Sequence, residues 1–171
     1  MEDLVIGVDE QDNITGYHAK LEAHQKGILH RAISVFVFNS AGDWLLQRRA
    51  KGKYHSEMLW SNTACSHPFQ QETVLEAAKR RLTEEMGIST ELNYAFSFIY
   101  RAELDNDLIE NELDHVFFGF SDQLPKINKE EVDSYRYISS DLLEFELLEK
   151  PEQFTEWFKL LHRQVKDYIK R

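Results

Sequence analysis

The segment Ala32–Phe38 is an almost unbroken apolar run, rich in Val, Ile and Phe. Such a run predicts a strand buried on both faces. Upstream, Leu4–Val8 and Ile14–Tyr17 flank Gln11-Asp12-Asn13 and read as a short hairpin. The polar stretch Ala19–Lys26 has helical tendency. Asn39-Ser-Ala-Gly42-Asp43 turns the buried strand into a second one, Trp44–Arg48. From Glu72 to Met86 the residues Val74, Leu75, Ala78, Leu82 and Met86 recur at helical spacing, and Gly87 supplies the stop. Further strands are expected at Tyr94–Ala102, Leu113–Phe120 and Tyr135–Ile138. Pro151 is expected to open a closing helix with Phe154, Phe158, Leu161, Val165 and Tyr168 along one face. Mixed strands with a few helices, without a regular βαβ repeat, predict an α/β (α+β) sandwich. Between these elements, Ala50–Pro68 has no clear period and is expected to be a long loop, a length that in compact domains is usually functional.

The 171 residues fit one domain, taken as 1–171. A hydrophobic content of 42% suffices for a sizeable core, and a net charge of −10 argues against a nucleic-acid partner. Cys65 is the single cysteine, so an intramolecular disulfide is impossible and a reducing compartment is expected. The acidic start at Met1 lacks the basic and apolar regions of a signal peptide, and no stretch has the length of a membrane span. The expectation is a cytoplasmic protein, with no membrane partner.

Four groups of residues carry candidate chemistry. Glu84 and Glu85 stand near the end of a helix, where the macrodipole disfavours anions, which suggests compensation by a bound metal or by Arg80 and Arg81; the alternative is a solvated acidic face. Arg81 lies one turn before Glu85 and can pair with it. Arg48, Arg49, Lys51 and Lys53 form a basic set, either a solubilising surface or a grip for one or two phosphates. Cys65-Ser66-His67-Pro68 places the lone thiol in a polar loop beside an imidazole. Glu110-Asn111-Glu112 leads into a strand, whose alternation lets both carboxylates face one site. With His24, His30 and His67 they would make a set of three imidazoles and two carboxylates, better suited to Mn²⁺, Zn²⁺ or Fe²⁺ than to Mg²⁺.

These residues resemble type I isopentenyl-diphosphate isomerases of the Nudix superfamily, over nearly the whole chain. The resemblance rests on four blocks: Leu21 to His24 with Leu29 to Ala32; Trp60-Ser-Asn-Thr-Ala-Cys65-Ser-His67-Pro68; Arg80-Arg81-Leu-Thr-Glu84-Glu85-Met-Gly87; and Tyr100-Arg101 with Glu110-Asn111-Glu112. It implies a Nudix-type mixed β-sheet sandwiched by helices, acting on a small isoprenoid diphosphate as a monomer or weak homodimer. By the same resemblance, Cys65 and Glu112 lie on either side of the isoprenoid tail, one delivering a proton to the alkene and the other removing one at the far end. Tyr100 lies near that carboxylate, and Trp157 offers an aromatic face. His24, His30, His67, Glu110 and Glu112 would hold Mn²⁺ or Zn²⁺. Glu85 and the Cys65 carbonyl would hold Mg²⁺ on the diphosphate, beside Lys20, Arg49, Lys53 and Arg81.

The chain also departs from the superfamily pattern. Ser66 occupies its first glycine position, and Arg81 stands where hydrolases carry a glutamate after the arginine. Loss of that carboxylate favours isomerisation over pyrophosphohydrolase activity, the alternative reading. A non-catalytic diphosphate-binding module is a third. In the loop, Ser56-Glu57-Met58-Leu59 replaces a commoner Pro-Gly pair, and Glu57 would oppose a diphosphate if it faced the entrance. Ala64 stands where a second cysteine is frequent.

Overall fold

The computed structural model describes residues 4–170; the acidic start at residues 1–3 and Arg171 lie outside them. The expected hairpin forms, β1 (Leu4–Val8) pairing antiparallel with β2 (Ile14–Ala19). Asp9 fixes its turn by accepting from the Gln11 and Asn13 amides at 2.9 Å each. A short helix, α1 (Lys20–Lys26), follows and ends at Gly27.

β3 (His30–Phe38) is the two-sided strand. Ile33, Val35 and Val37 pack with Ala77, Ala78, Leu82 and Met86 of α2 (Val74–Met86). Phe36 and Phe38 point the other way, onto Phe158, Leu161 and Val165 of α4 (Glu156–Ile169). Each fully buried side chain of this kind contributes about 1.5–3 kcal/mol. β8 (Ile109–Phe120) runs parallel to β3 along its whole length, from His30↔Glu112 to Phe38↔Phe120. The opposite edge of β3 is shared in succession by β1, by β6 (Ala64–Ser66) and by β4 (Trp44–Arg49). β7 (Leu92–Glu103) flanks β8, while β5 (Trp60–Ser61) and β9 (Val132–Ile138) flank β4. The result is a nine-stranded mixed sheet between helices, the fold class the pattern predicted.

α2 carries its own boundaries. Thr73 and Glu76 form a reciprocal capping box. Gly87 closes the helix at φ 64°, where a Cβ would stand 2.6 Å from the Lys126 carbonyl oxygen, so only glycine fits.

Three expectations are corrected. The stretch 50–68 is not all loop: it contains β5 and β6, and β6 pairs with the centre of β3. Strands of two and three residues are too short to show a period. They are pinned by polar side chains instead. Asn62 donates to the Val35 and Ala64 carbonyls, and Thr63 bridges the Leu45 carbonyl and the Val37 amide. Second, α3 (Ser140–Glu149) is a helix that the pattern did not predict. Leu143 is buried while Leu142, Phe145 and Leu148 are exposed, so no amphipathic stripe marks it. Third, Pro151 opens only a 3-10 turn, Pro151–Gln153; Phe154 lies between turn and helix, and α4 starts at Glu156.

Candidate active site

The parallel register of β3 and β8 sets His30 opposite Glu112. Alternation along β8 turns Glu110, Glu112 and Asp114 to the same side as Val116 and Phe118, the face covered by α4. Here the polar strand ends, α1 and the 50–68 segment converge on a cavity of about 410 Å³.

His24, from α1, and His30 are fully buried. Their Nδ1 atoms lie 2.7 Å from the Lys20 carbonyl and 2.8 Å from the Ile28 carbonyl. A carbonyl only accepts, so both Nδ1 atoms carry the proton and both Nε2 atoms offer a lone pair. His67 Nε2 lies 2.9 Å from Glu112 Oε1 and 3.2 Å from His30 Nε2. One ligand atom each from His24, His30, His67 and Glu112 falls within 4.8 Å of the others. A second such group shares His24 with His55 and Glu110. Glu110 Oε2 is buried without a hydrogen-bond partner, 3.4 Å from His24 Nε2. A buried carboxylate oxygen without a donor, facing imidazole lone pairs, fits a cation. The group can therefore hold a metal ion.

Burial pushes the Glu110 carboxyl well above its ordinary range, and the neighbouring Glu112 charge adds to it. Burial acts on Glu112 as well, but the His30 imidazole beside it and the hydrogen bond from His67 outweigh it and hold that carboxyl well below its ordinary range. Burial lowers His67 to about 3 despite Glu112. On β7, directly across from Glu112, Tyr100 donates its hydroxyl to Oε2 at 2.6 Å.

Cys65, on β6 opposite Ser34, lines the same cavity. Burial, with the Glu85 charge adding, pushes its thiol up to about 12. Trp157 is both core and cavity wall. It is 3% exposed, donates from Nε1 to Asn62 Oδ1 at 3.3 Å, and stacks under the Arg49 guanidinium at 5.2 Å.

Lys20, Arg49, Lys53 and Arg81 line the cavity, joined by Arg80 and Glu84. Of the two compensations open for the helix-terminal carboxylates, the arginine one is present. Arg81 lies 2.8 Å from both Glu84 and Glu85, and Gln47 donates to Glu85 from the other side. Glu57 is not among the residues lining the cavity; its carboxylate accepts from the Gly52 amide at 2.6 Å.

The structure thus brings these candidates to the cavity or to the histidine cluster, except Arg48, which pairs with Asp133, and Lys51, which is exposed outside the cavity lining. Sequence reading missed His55, which reaches Glu110, and Glu131, which pairs with both Lys53 and Arg81. It also missed Gln47 and the buried Ser34–Asp114 pair. A single His or Glu in a polar stretch carries no local signal of this kind. No helix among the described residues is long and apolar enough to cross a membrane.

Residues 28–158 match the NUDIX domain family. The chain is 54% identical over 164 residues to the isopentenyl-diphosphate Delta-isomerase of Pectobacterium atrosepticum, covering 96% of this chain and 92% of the relative.

The chain belongs to the Nudix family, among the isopentenyl-diphosphate Delta-isomerases.

A second member, isopentenyl-diphosphate Delta-isomerase 2 of Aromatoleum aromaticum, is 52% identical over 157 residues, with 92% of this chain and 83% of the relative covered. Among solved structures, DR0079 from Deinococcus radiodurans superposes with a TM-score of 0.79 at 18% identity, over 95% of this chain and 98% of that one. The MutT protein of Methanosarcina mazei gives 0.68 at 17% identity, over 84% and 96%. At such identities the structural likeness is one of fold, and the sequence relatives carry the family membership.

Proposed function

We propose that this cavity interconverts isopentenyl and dimethylallyl diphosphate by moving protons through a tertiary carbocation. The observation that carries the reading is the pairing of a protonated thiol with an ionised carboxylate on one cavity that cationic side chains also line. Cys65 keeps its proton because burial raises it, whereas His30 and His67 keep Glu112 ionised. In the forward direction the Cys65 thiol donates to the terminal methylene carbon and forms a C–H bond. The cation at the branched carbon is then quenched as Glu112 takes a proton from the adjacent CH₂, and the double bond moves one position. The reverse reaction exchanges the two roles.

Water would trap such a cation, so the walls matter. Trp157 offers a π-face worth about 2 kcal/mol to a desolvated cation. That is small beside the roughly 8–23 kcal/mol of enzymatic acceleration, so positioning of donor and acceptor must supply most of the rest. Lys20, Arg49, Lys53 and Arg81 anchor the diphosphate, which makes binding energy available for that positioning. His24, His30, His67, Glu110 and Glu112 would hold Mn²⁺ or Zn²⁺. Glu85 with the Cys65 carbonyl would hold the Mg²⁺ that accompanies a diphosphate. When bound, the metals would supply charge that keeps Glu112 ionised as acceptor, makes the protonated Glu112–Tyr100 pair a stronger donor in the reverse direction, and neutralises the diphosphate.

The test is NMR of isopentenyl diphosphate incubated with the protein and Mg²⁺ in D₂O, with and without Mn²⁺. Dimethylallyl diphosphate carrying deuterium is expected, and Cys65→Ala and Glu112→Gln should each nearly abolish it while keeping the fold. Unchanged, unlabelled substrate would overturn the reading, and released phosphate would point to a pyrophosphohydrolase instead.

A further inference from the structure

Among the residues around the cavity, His55 is the one whose contacts join all its parts without a role in the chemistry above. It lies in the 50–68 segment, is 5% exposed, and turns Nε2 toward Glu110 Oε1 at 3.3 Å. Its other ring nitrogen, Nδ1, lies 3.2 Å from the Ser56 hydroxyl. Its ring meets Trp157 edge-on, with centroids 5.8 Å apart and planes at 90°. Its backbone carbonyl accepts from Arg49 Nη2 at 3.3 Å.

We infer that His55 is a positioning residue that fixes the Glu110 carboxylate, with Oε1 held by the His55 Nε2–H and Oε2 left to face the metal position. Three structural features support this role. Glu110 divides its oxygens: Oε1 faces His55, while Oε2 is buried, partnerless and directed at His24. His55 Nε2 faces Oε1, the oxygen of Glu110 that is not directed at His24, and His55 is not in the set of His24, His30, His67 and Glu112. From that side of the carboxylate a hydrogen-bond donor orients a ligand. Finally, the Ser56 hydroxyl can donate to Nδ1, which puts the ring proton on Nε2, the nitrogen facing Glu110. Ser56 does this from a left-handed backbone, φ 52°, a conformation disfavoured for a residue with a Cβ. Local strain held at a serine whose hydroxyl orients a buried imidazole is consistent with a role for that hydroxyl.

The inference rests on the reading of the histidine and glutamate set as a metal site. It is therefore tested on metal binding before turnover. The metal-stripped full chain is titrated with Mn²⁺, with free ion followed by electron paramagnetic resonance, for wild type, His55→Phe, His55→Gln and Ser56→Gly. His55→Phe keeps the ring against Trp157 and removes the donor; it is expected to weaken the tight site by about 10–100-fold. His55→Gln can again present an N–H to Glu110 and is expected to recover most of that loss. Ser56→Gly relieves the backbone strain, so it folds, and is expected to weaken binding by a smaller factor.

Wild-type affinity in His55→Phe would overturn the inference, as would a Gln variant no better than Phe. If the Phe variant does not fold, unchanged affinity in Ser56→Gly overturns it. A wild-type protein that binds no Mn²⁺ tightly would overturn the metal reading itself and this inference with it.

Discussion

Tyr100 and Glu112 stand directly opposite each other across the β7–β8 ladder, and the phenol donates to Glu112 Oε2 at 2.6 Å. The other oxygen of that carboxylate faces His67 and His30. One side chain therefore joins the histidine cluster to a hydroxyl at the cavity. A hydrogen bond to a charged group contributes about 1.5–3 kcal/mol. Tyr100→Phe is expected to lower kcat by roughly 10–100-fold at that value, with little change in KM. Steady-state kinetics on isopentenyl diphosphate check this, and a wild-type kcat would remove Tyr100 from the chemistry.

Arg81 lies between Glu84, Glu85 and Glu131, and Glu85 is only 3% exposed. Its removal leaves a buried carboxylate without a counter-charge. Arg81→Met is expected to destabilise the metal-free protein by about 3–5 kcal/mol. Urea unfolding measures this. The double variant Arg81→Met/Glu85→Gln is expected to regain much of the loss, because it removes the orphaned charge as well.

Cys65 is the single thiol of the chain, held near 12 where a free one sits near 9. The thiolate is the nucleophile in alkylation, so its population near neutral pH is lower by about a thousandfold than that of a free thiol. Iodoacetamide labelling followed by mass spectrometry is expected to be far slower than that of glutathione at the same pH. Labelling at the glutathione rate would show that the pocket does not suppress ionisation.

His162, on α4, is buried against Trp44 and Phe158. Burial lowers its pKa from 6.5, with Arg163 adding to the shift. The unfolded chain then binds the extra proton more readily than the folded one, so stability rises with pH through this window. The stabilisation is complete above 6.5 and is lost as pH falls from there toward the lowered folded value. His162→Phe is expected to be more acid-tolerant than wild type. Compared by urea unfolding, the stability difference should shift toward the variant as pH drops below 6.5. A difference independent of pH would refute the assignment.

What the sequence determined is local or periodic. An apolar run without alternation required a strand covered on both sides, and β3 is covered by α2 and α4. Spacing and a glycine stop bounded α2 at Gly87. The polar 50–68 segment, with its lone cysteine, and the Glu110-Asn111-Glu112 strand marked where chemistry would gather. Tertiary structure decided what lies next to what. Periodicity reports burial, and it does not say that β8 runs parallel to β3 with Glu112 opposite His30. Nor does it show that β6 pairs with β3 through Asn62 and Thr63, whose side chains hydrogen-bond to distant backbone. α3 escaped because its exposed leucines break any stripe. His55 and Glu131 escaped because each has meaning only through partners more than fifty residues away or on another element, Glu110 for one and Arg81 and Lys53 for the other. The residue types come from the chain; the cavity that Cys65 and Glu112 both line exists only once strand register and burial bring them there.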